Sequence, residues 1–144
     1  MEQAQQFKIF LVDDDVFTLN LYQQHLNNLG FFDVSTFHSG TACLEELMQK
    51  PDVIFLDHNM DTLTGFDVLK KIKRFDPNVF VVMVSAQEEL KIAVDALKYG
   101  AFDYIIKGDQ EVEKMRQVLN RITQVLELLK KEKPSFWKKI LSYI

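Results

Sequence analysis

The residues best suited to chemistry in this sequence are acids, a hydroxyl and a lysine that each follow an apolar segment. They are Asp13, Asp14, Asp15, Asp57, Ser85 and Lys107. If Asp13, Asp14 and Asp57 lay close together, their carboxylates could not all stay ionised without a strong penalty. A hard divalent cation with oxygen ligands, such as Mg²⁺, would relieve that penalty. Lys107 and Ser85 could then contact the oxygens of a phosphoryl group, with Asp57 as the candidate nucleophile.

The apolar segments that precede these residues predict five strands. The strands are predicted at Phe7–Val12, Phe31–Thr36, Val53–Leu56, Val79–Val84 and Phe102–Ile106. Stretches of helical periodicity separate them, the first at Val16–Leu29 and the last from a cap at Asp109 to about Lys133. Capping boxes at Thr64–Asp67 and Ser85–Glu88 predict the starts of the third and fourth helices.

Strands separated by helices of this length run parallel, and right-handed crossovers place helices on both faces of one sheet. The predicted fold is a three-layer α/β/α sandwich around a five-stranded parallel sheet with the flavodoxin-like order 2-1-3-4-5. In that order strands 1 and 3 are neighbours about 5 Å apart, and functional groups gather beyond the carboxyl ends of the strands. The acids that follow these two strands are therefore expected to converge.

The composition is that of an ordinary globular domain. The 144 residues include 17 Lys+Arg and 21 Asp+Glu, and the net charge of −4 argues against nucleic-acid binding through bulk electrostatics. The single cysteine, Cys43, excludes an internal disulfide and suits a reducing compartment. No apolar run is long enough for a membrane span, and the amino terminus lacks signal-peptide features. We therefore expect a cytoplasmic domain.

The carboxyl-terminal part is longer than the sheet needs, so we divide the chain into a main domain, residues 1–133, and a short amphipathic tail, residues 134–144. Apolar residues before this boundary recur in steps of three and four: Val112, Met115, Leu119, Ile122, Leu126 and Leu129. The tail could place five apolar residues on one helix face: Phe136, Trp137, Ile140, Leu141 and Ile144. So short a helix is not stable alone. We expect its apolar face to pack on the chain itself or in a homodimer, with another partner second and a membrane surface least favoured.

Several polar residues have simple structural explanations. Asp15 is expected to cap the first helix rather than bind a ligand. Ser85 could head its capping box and still contact a phosphate. The histidines lack the spacing of metal ligands, and His58 is expected to be an exposed neighbour of the site. Cys43 is expected to pack against other helices rather than act as a reactive thiol.

Four segments in order resemble the signatures of receiver domains in two-component response regulators. They are Leu11–Asp14, Phe55–Met60, Val84–Ala86 and Gly100–Lys107, at the ends of strands 1, 3, 4 and 5. The resemblance covers residues 7 to about 130, and the stand-alone chemotaxis regulators are closest in size. Each motif is weak alone, but the four together at these positions are specific.

The resemblance implies that Asp57 is the phospho-acceptor, which takes a phosphoryl group from a sensor histidine kinase or a phosphotransfer protein. It also implies a Mg²⁺ ion bound directly by Asp14, Asp57 and the carbonyl oxygen of Asn59, with Asp13 acting through water. The protein would be a cytoplasmic signalling switch with no separate catalytic activity, although it would assist its own phosphorylation and dephosphorylation.

The resemblance further implies that Ser85 and Lys107 contact the phosphoryl oxygens. Tyr104 would be the aromatic switch that turns inward as Ser85 moves toward the phosphate. Asn59 and Gln87 would flank the attacking water and tune the lifetime of the phosphorylated state.

The sequence departs from the receiver pattern at two positions. Asp61 replaces a proline that usually follows the methionine of the acceptor loop, and it is expected to point to solvent. Lys107-Gly108 replaces a Lys-Pro pair whose peptide bond is cis. Because a cis bond before a non-proline residue costs about 2.5–4 kcal/mol, we predict a trans Lys107–Gly108 bond and a different path for the loop that follows.

Two other functions remain open from the sequence. A small phosphatase of the haloacid-dehalogenase type would use Asp13 as nucleophile and Asp15 as general acid. Phe17 stands where that class expects threonine or valine, and no cap-domain insertion is visible. The other alternative is an interaction module that keeps the fold but works without phosphorylation; the complete set of acids, hydroxyl and lysine disfavours it.

Overall fold

The structure is a computed structural model that describes residues 7–60, 63–86, 88–108 and 110–142, with side chains as far as Lys130. Its strands are β1 (Ile9–Val12), β2 (Val34–Phe37), β3 (Val53–Asp57), β4 (Phe80–Ser85) and β5 (Asp103–Ile106). Its α-helices are α1 (Val16–Asn28), α2 (Gly40–Glu45), α3 (Gly65–Phe75), α4 (Leu90–Lys98) and α5 (Glu111–Ser142), with a 3-10 turn at Leu47–Gln49.

The five strands form one parallel sheet in the order β2-β1-β3-β4-β5. This confirms the predicted flavodoxin-like fold. Strand β1 pairs with β2 on one side and with the central strand β3 on the other, so that Val12 lies between Phe37 and Leu56 in the register. The carboxyl ends of β1 and β3 are thus adjacent.

Alternate residues of the strands build a core on each side of the sheet. On one side, Ile9 and Leu11 of β1 pack in a cluster with apolar residues of α1 and α5. On the other side, Phe10 and Val12 pack with residues of α2, α3 and α4, among them Cys43. Cys43 is fully buried in this cluster, as expected of a packing residue, and burial raises the pKa of its thiol to about 12.

Side-chain caps begin two helices as predicted. The Thr64 hydroxyl accepts a hydrogen bond from the Asp67 backbone N–H at the start of α3, and the Asp15 carboxylate accepts from Phe17 N–H at the start of α1. The capping box predicted at Ser85–Glu88 is wrong. Ser85 ends β4, and α4 begins later, at Leu90. Pairing with β5 decides this, because Ser85 lies opposite Ile106 within the sheet.

The second strand also starts later than its apolar residues suggest. Phe31 was expected to open β2, but its backbone N–H donates to the Leu26 carbonyl oxygen at 2.9 Å and closes the end of α1. Gly30 makes this closure possible with φ of 97°, a conformation that favours glycine. The strand therefore begins at Val34.

The last helix is longer than predicted, because α5 continues through Pro134 to Ser142 instead of ending near Lys133. Its apolar seam is buried at Met115, Leu119 and Ile122, whereas Leu129 is 58% exposed. The sheet thus covers only the first part of the seam. The predicted cap, Asp109, lies outside the described residues. Among the described helices, none has both the length and the apolar composition that crossing a membrane requires.

Candidate functional site

The acids after β1 and β3 converge at one edge of the sheet. Asp13, Asp14 and Asp57 each place a carboxylate oxygen within 4.8 Å of the other two. We call these three carboxylates the acidic cluster. Asp13 and Asp57 are only 3% and 4% exposed, whereas Asp14 lies at the surface. The predicted convergence is confirmed, and it leaves buried negative charge that needs compensation.

Lys107 supplies part of that compensation from the end of β5. Its Nζ atom lies 3.0 Å from Oδ2 of Asp13 and 3.3 Å from Oδ1 of Asp57. The Lys107 backbone N–H donates to the Ser85 carbonyl oxygen at 2.8 Å, which extends the β4–β5 pairing by one residue. The Lys107–Gly108 bond is trans, as predicted, and the lysine still reaches the acidic cluster.

The electrostatics of the acidic cluster are dominated by burial. The pKa of Asp57 is raised to about 6, first by burial and second by the nearby Asp13 carboxylate, while Lys107 opposes both effects. For Lys107, burial lowers the pKa, but Asp57 and Asp13 outweigh burial and the net direction is upward. The lysine is therefore a firmly charged cation, and it faces more negative charge than it can neutralise alone.

Three other residues singled out from the sequence, Ser85, Tyr104 and Asn59, occupy the same edge or lie beside it. Ser85 is fully buried at the end of β4, next to β3 and its terminal Asp57. Tyr104 is partly buried in β5 and packs against the core on the side of α2, α3 and α4. Asn59 is exposed in the loop after β3, and its backbone hydrogen bond to Asp57 lowers the pKa of that acid. Gln87 and Asp61 lie outside the described residues.

Two residues near the acidic cluster have structural partners of their own. Asp15 accepts from the Thr18 hydroxyl at 2.8 Å as well as from Phe17 N–H, so its carboxylate serves the start of α1. His58 is partly buried rather than exposed as predicted, because its ring packs on Phe66 with 4.6 Å between centroids. Burial lowers the pKa of His58.

Sequence reasoning missed Gly65, which lets α3 start close to the end of β3 and the loop that follows it. A Cβ atom at Gly65 would lie 2.7 Å from the Cα of His58 and 2.9 Å from the carbonyl oxygen of Asp57. The Gly65 N–H also donates to the His58 carbonyl oxygen at 3.0 Å. A glycine directly after the Thr64 cap was the available signal for this close approach.

Sequence reasoning also missed Glu111, in the first turn of α5. Its carboxylate accepts hydrogen bonds from the Tyr22 hydroxyl and from the Gly108 backbone N–H. No local pattern pointed to this contact, because its two ends are 89 residues apart in sequence.

A five-stranded parallel sheet of order 2-1-3-4-5, with the acidic cluster facing a lysine at its carboxyl edge, defines an α/β domain of the receiver type. The chain belongs to the response regulator receiver domain family, whose pattern it matches over residues 9–120.

Individual relatives agree with this assignment. The chain is 36% identical over 105 residues to the transcriptional regulatory protein ZraR of Klebsiella oxytoca, which is 72% of this chain and 24% of ZraR. It is 26% identical over 118 residues to the chemotaxis protein CheY of Thermotoga maritima, which is 81% of this chain and 98% of CheY. A crystal structure of NtrX from Brucella abortus has a TM-score of 0.79 at 26% identity, and the match covers 90% of this chain and 30% of NtrX. The chain thus spans about a quarter of the length of ZraR and nearly all of CheY.

Proposed function

We propose that this chain is a phosphorylation-controlled switch in which Asp57 is the phospho-acceptor. The observation that supports this most strongly is the acidic cluster facing the ammonium group of Lys107. The phosphoryl group comes from a phosphohistidine of a sensor kinase or a phosphotransfer protein. The phosphorus–nitrogen bond of the donor breaks, a carboxylate oxygen of Asp57 bonds to phosphorus, and the histidine leaves as imidazole.

The donor set fits Mg²⁺, because three carboxylates with oxygens within 4.8 Å of one another are the hard ligands that this ion takes. Asp14, Asp57 and the Asn59 carbonyl oxygen would hold the ion directly, and Asp13 would do so through water. When bound, Mg²⁺ supplies positive charge to the oxygens of the transferring phosphoryl group.

The chain's own residues do the rest. Lys107 stabilises negative charge on the phosphoryl oxygens, and Ser85 donates a hydrogen bond to one of them. As Ser85 moves toward the phosphate, Tyr104 turns inward and changes the surface formed by α4, β5 and α5. Asn59 and Gln87 flank the attacking water and tune the lifetime of the phosphorylated state. The domain assists its own phosphorylation and dephosphorylation but turns over no other substrate.

The partners follow from this function. A sensor histidine kinase or a phosphotransfer protein donates the phosphoryl group, and the domain works in the cytoplasm without direct contact to nucleic acid or membrane. The exposed end of the α5 seam at Leu128 and Leu129, together with the tail at residues 134–144, provides a surface for a homodimer. Residues 1–133 then form the receiver domain proper.

The family assignment does not favour a phosphatase that uses Asp13 or a module that works without phosphorylation, and two assays separate the three functions. The chain is incubated with Mg²⁺ and acetyl phosphate, and acid-labile protein-bound phosphate is measured. We expect the adduct in the wild type and its loss in Asp57→Asn. A phosphatase would instead hydrolyse a phosphomonoester in a reaction abolished by Asp13→Asn but not by Asp57→Asn. Absence of any Asp57-dependent adduct would refute the proposed function.

A further inference from the structure

The segment that carries Lys107 leaves the sheet through a short loop between β5 and α5. Lys107 is the last residue tied to β4, and the chain enters α5 at Glu111. Between them, Gly108 stands at the position where the receiver pattern has proline. The Gly108 backbone N–H donates to Oε1 of Glu111 at 3.4 Å. Proline has no backbone N–H, so this contact requires a residue other than proline at position 108.

The same carboxylate is anchored from the other side by α1. Oε2 of Glu111 accepts a hydrogen bond from the Tyr22 hydroxyl. Tyr22 is 3% exposed and belongs to the core cluster that contains Met115 and Leu119 of α5. Burial, with the hydrogen bond to Glu111 as the second cause, raises the pKa of Tyr22, so the phenol remains a donor. Glu111 thus connects a loop residue to a rigid part of the core.

We infer that Tyr22 and Glu111 are positioning residues for Lys107. Because Gly108 follows Lys107 directly, a hydrogen bond that holds the Gly108 backbone also restrains the Lys107 backbone. The ammonium group of Lys107 lies 3.0 Å from Oδ2 of Asp13 and 3.3 Å from Oδ1 of Asp57. The inference rests on the proposed function of Asp57, because the position of Lys107 matters most for phosphoryl transfer. The bridge from Tyr22 through Glu111 to Gly108 thus holds the loop after β5 at the position where the receiver pattern has proline.

The chain offers matched variants for a test. Tyr22→Phe removes one hydroxyl and keeps the buried ring, and Glu111→Ala removes the acceptor of both hydrogen bonds. The control is Glu113→Ala, since Glu113 lies in the same turn of α5 but is exposed and pairs with Arg116. Gly108→Ala is a second control, because an added Cβ meets nothing within 4 Å and the backbone N–H remains.

Three measurements on the full chain separate positioning from folding. The first is the rate constant for Asp57 phosphorylation by acetyl phosphate at saturating Mg²⁺. We expect it to fall about tenfold in Tyr22→Phe and in Glu111→Ala, because small displacements of a catalytic group cost rate steeply. The double variant should be no slower than Glu111→Ala, because both substitutions break the same bridge. Both controls should react at the wild-type rate.

The second measurement is the Mg²⁺ affinity by calorimetry, which should stay unchanged in all variants because the metal ligands are untouched. The third is the ¹³C NMR order parameter of Lys107 Cε, which should fall in both bridge variants and in neither control. If the bridge variants keep both the wild-type rate and the wild-type order parameter, the inference is wrong.

The inference is also wrong if rate and Mg²⁺ affinity fall together while the order parameter of Lys107 stays constant, since Glu111 would then support the fold or the metal site. A wild-type chain that forms no Asp57 adduct would refute the proposed function instead. In that case the order parameter still decides whether the bridge holds Lys107.

Discussion

Replacing Asp57 with asparagine should stabilise the metal-free protein at neutral pH. The pKa of this acid is about 6 in the folded chain and 3.8 for an ordinary aspartate. Between pH 3.8 and about 6, Asp57 is therefore protonated in the folded state but ionised in the unfolded state. Stability from this group is present at low pH and lost as the pH rises through about 6. Asparagine mimics the protonated acid at every pH and escapes this loss.

The difference between the two pKa values corresponds to about 3 kcal/mol. We expect Asp57→Asn to raise the free energy of unfolding by about that amount at pH 7.5 and by less than about 1 kcal/mol at pH 4. Urea denaturation in the presence of a chelator, followed by circular dichroism, measures both values. Asp95→Asn, an aspartate on α4 outside the acidic cluster, serves as the control.

Addition of Mg²⁺ should close the gap at pH 7.5. An ion that binds only the folded wild type stabilises it by about 2.7 kcal/mol at a concentration one hundred times its dissociation constant, and Asp57→Asn lacks one of the proposed ligands. If Asp57→Asn is less stable than the wild type at pH 7.5 without metal, or if the gap grows toward pH 4, the account of a buried and poorly compensated carboxylate is refuted.

Three further substitutions test the surroundings of the acidic cluster. Gly65→Ala should lower the free energy of unfolding by about 2 kcal/mol or more, because the new Cβ meets the backbone of Asp57 and His58. Urea denaturation measures this with Gly108→Ala as the control, and equal stability of the two variants would contradict it. Lys107→Ala should raise the pKa of Asp57 above about 6, because it removes the positive charge that lies 3.3 Å from the Asp57 carboxylate. A ¹³C NMR titration of the Asp57 carboxyl group that shows a lower pKa would refute this prediction. Asp15→Ala should cost about 1 kcal/mol of stability through the lost cap of α1, and an unchanged urea midpoint would show that the cap contributes nothing.

Much of the fold was predictable because alternating strands and helices leave a clear apolar pattern and allow few arrangements. The errors fall where contacts distant in sequence decide a local choice. Ser85 has the local pattern of a helix cap, but pairing with β5 keeps it in the sheet. Phe31 has the pattern of a strand, but its backbone N–H closes α1.

The candidate site was predictable to the extent that parallel strands bring their carboxyl ends together. That rule alone placed Asp13, Asp57 and Lys107 at one edge, and the structure confirms their proximity. The bridge from Tyr22 to Glu111 follows no such rule. It depends on α1 and α5 packing on the same face of the sheet, and on a single hydroxyl reaching one carboxylate there.

Peptide mapping by mass spectrometry shows whether phosphoryl transfer ends on Asp57. The chain is phosphorylated with acetyl phosphate and Mg²⁺, the acyl phosphate is reduced with borohydride, and the modified residue is located by fragmentation. We expect reduction of Asp57 to homoserine, with Asp13 and Asp14 unchanged and no reduction when a chelator is present. Modification at Asp13 with an intact Asp57, or no modified residue at all, would contradict the account.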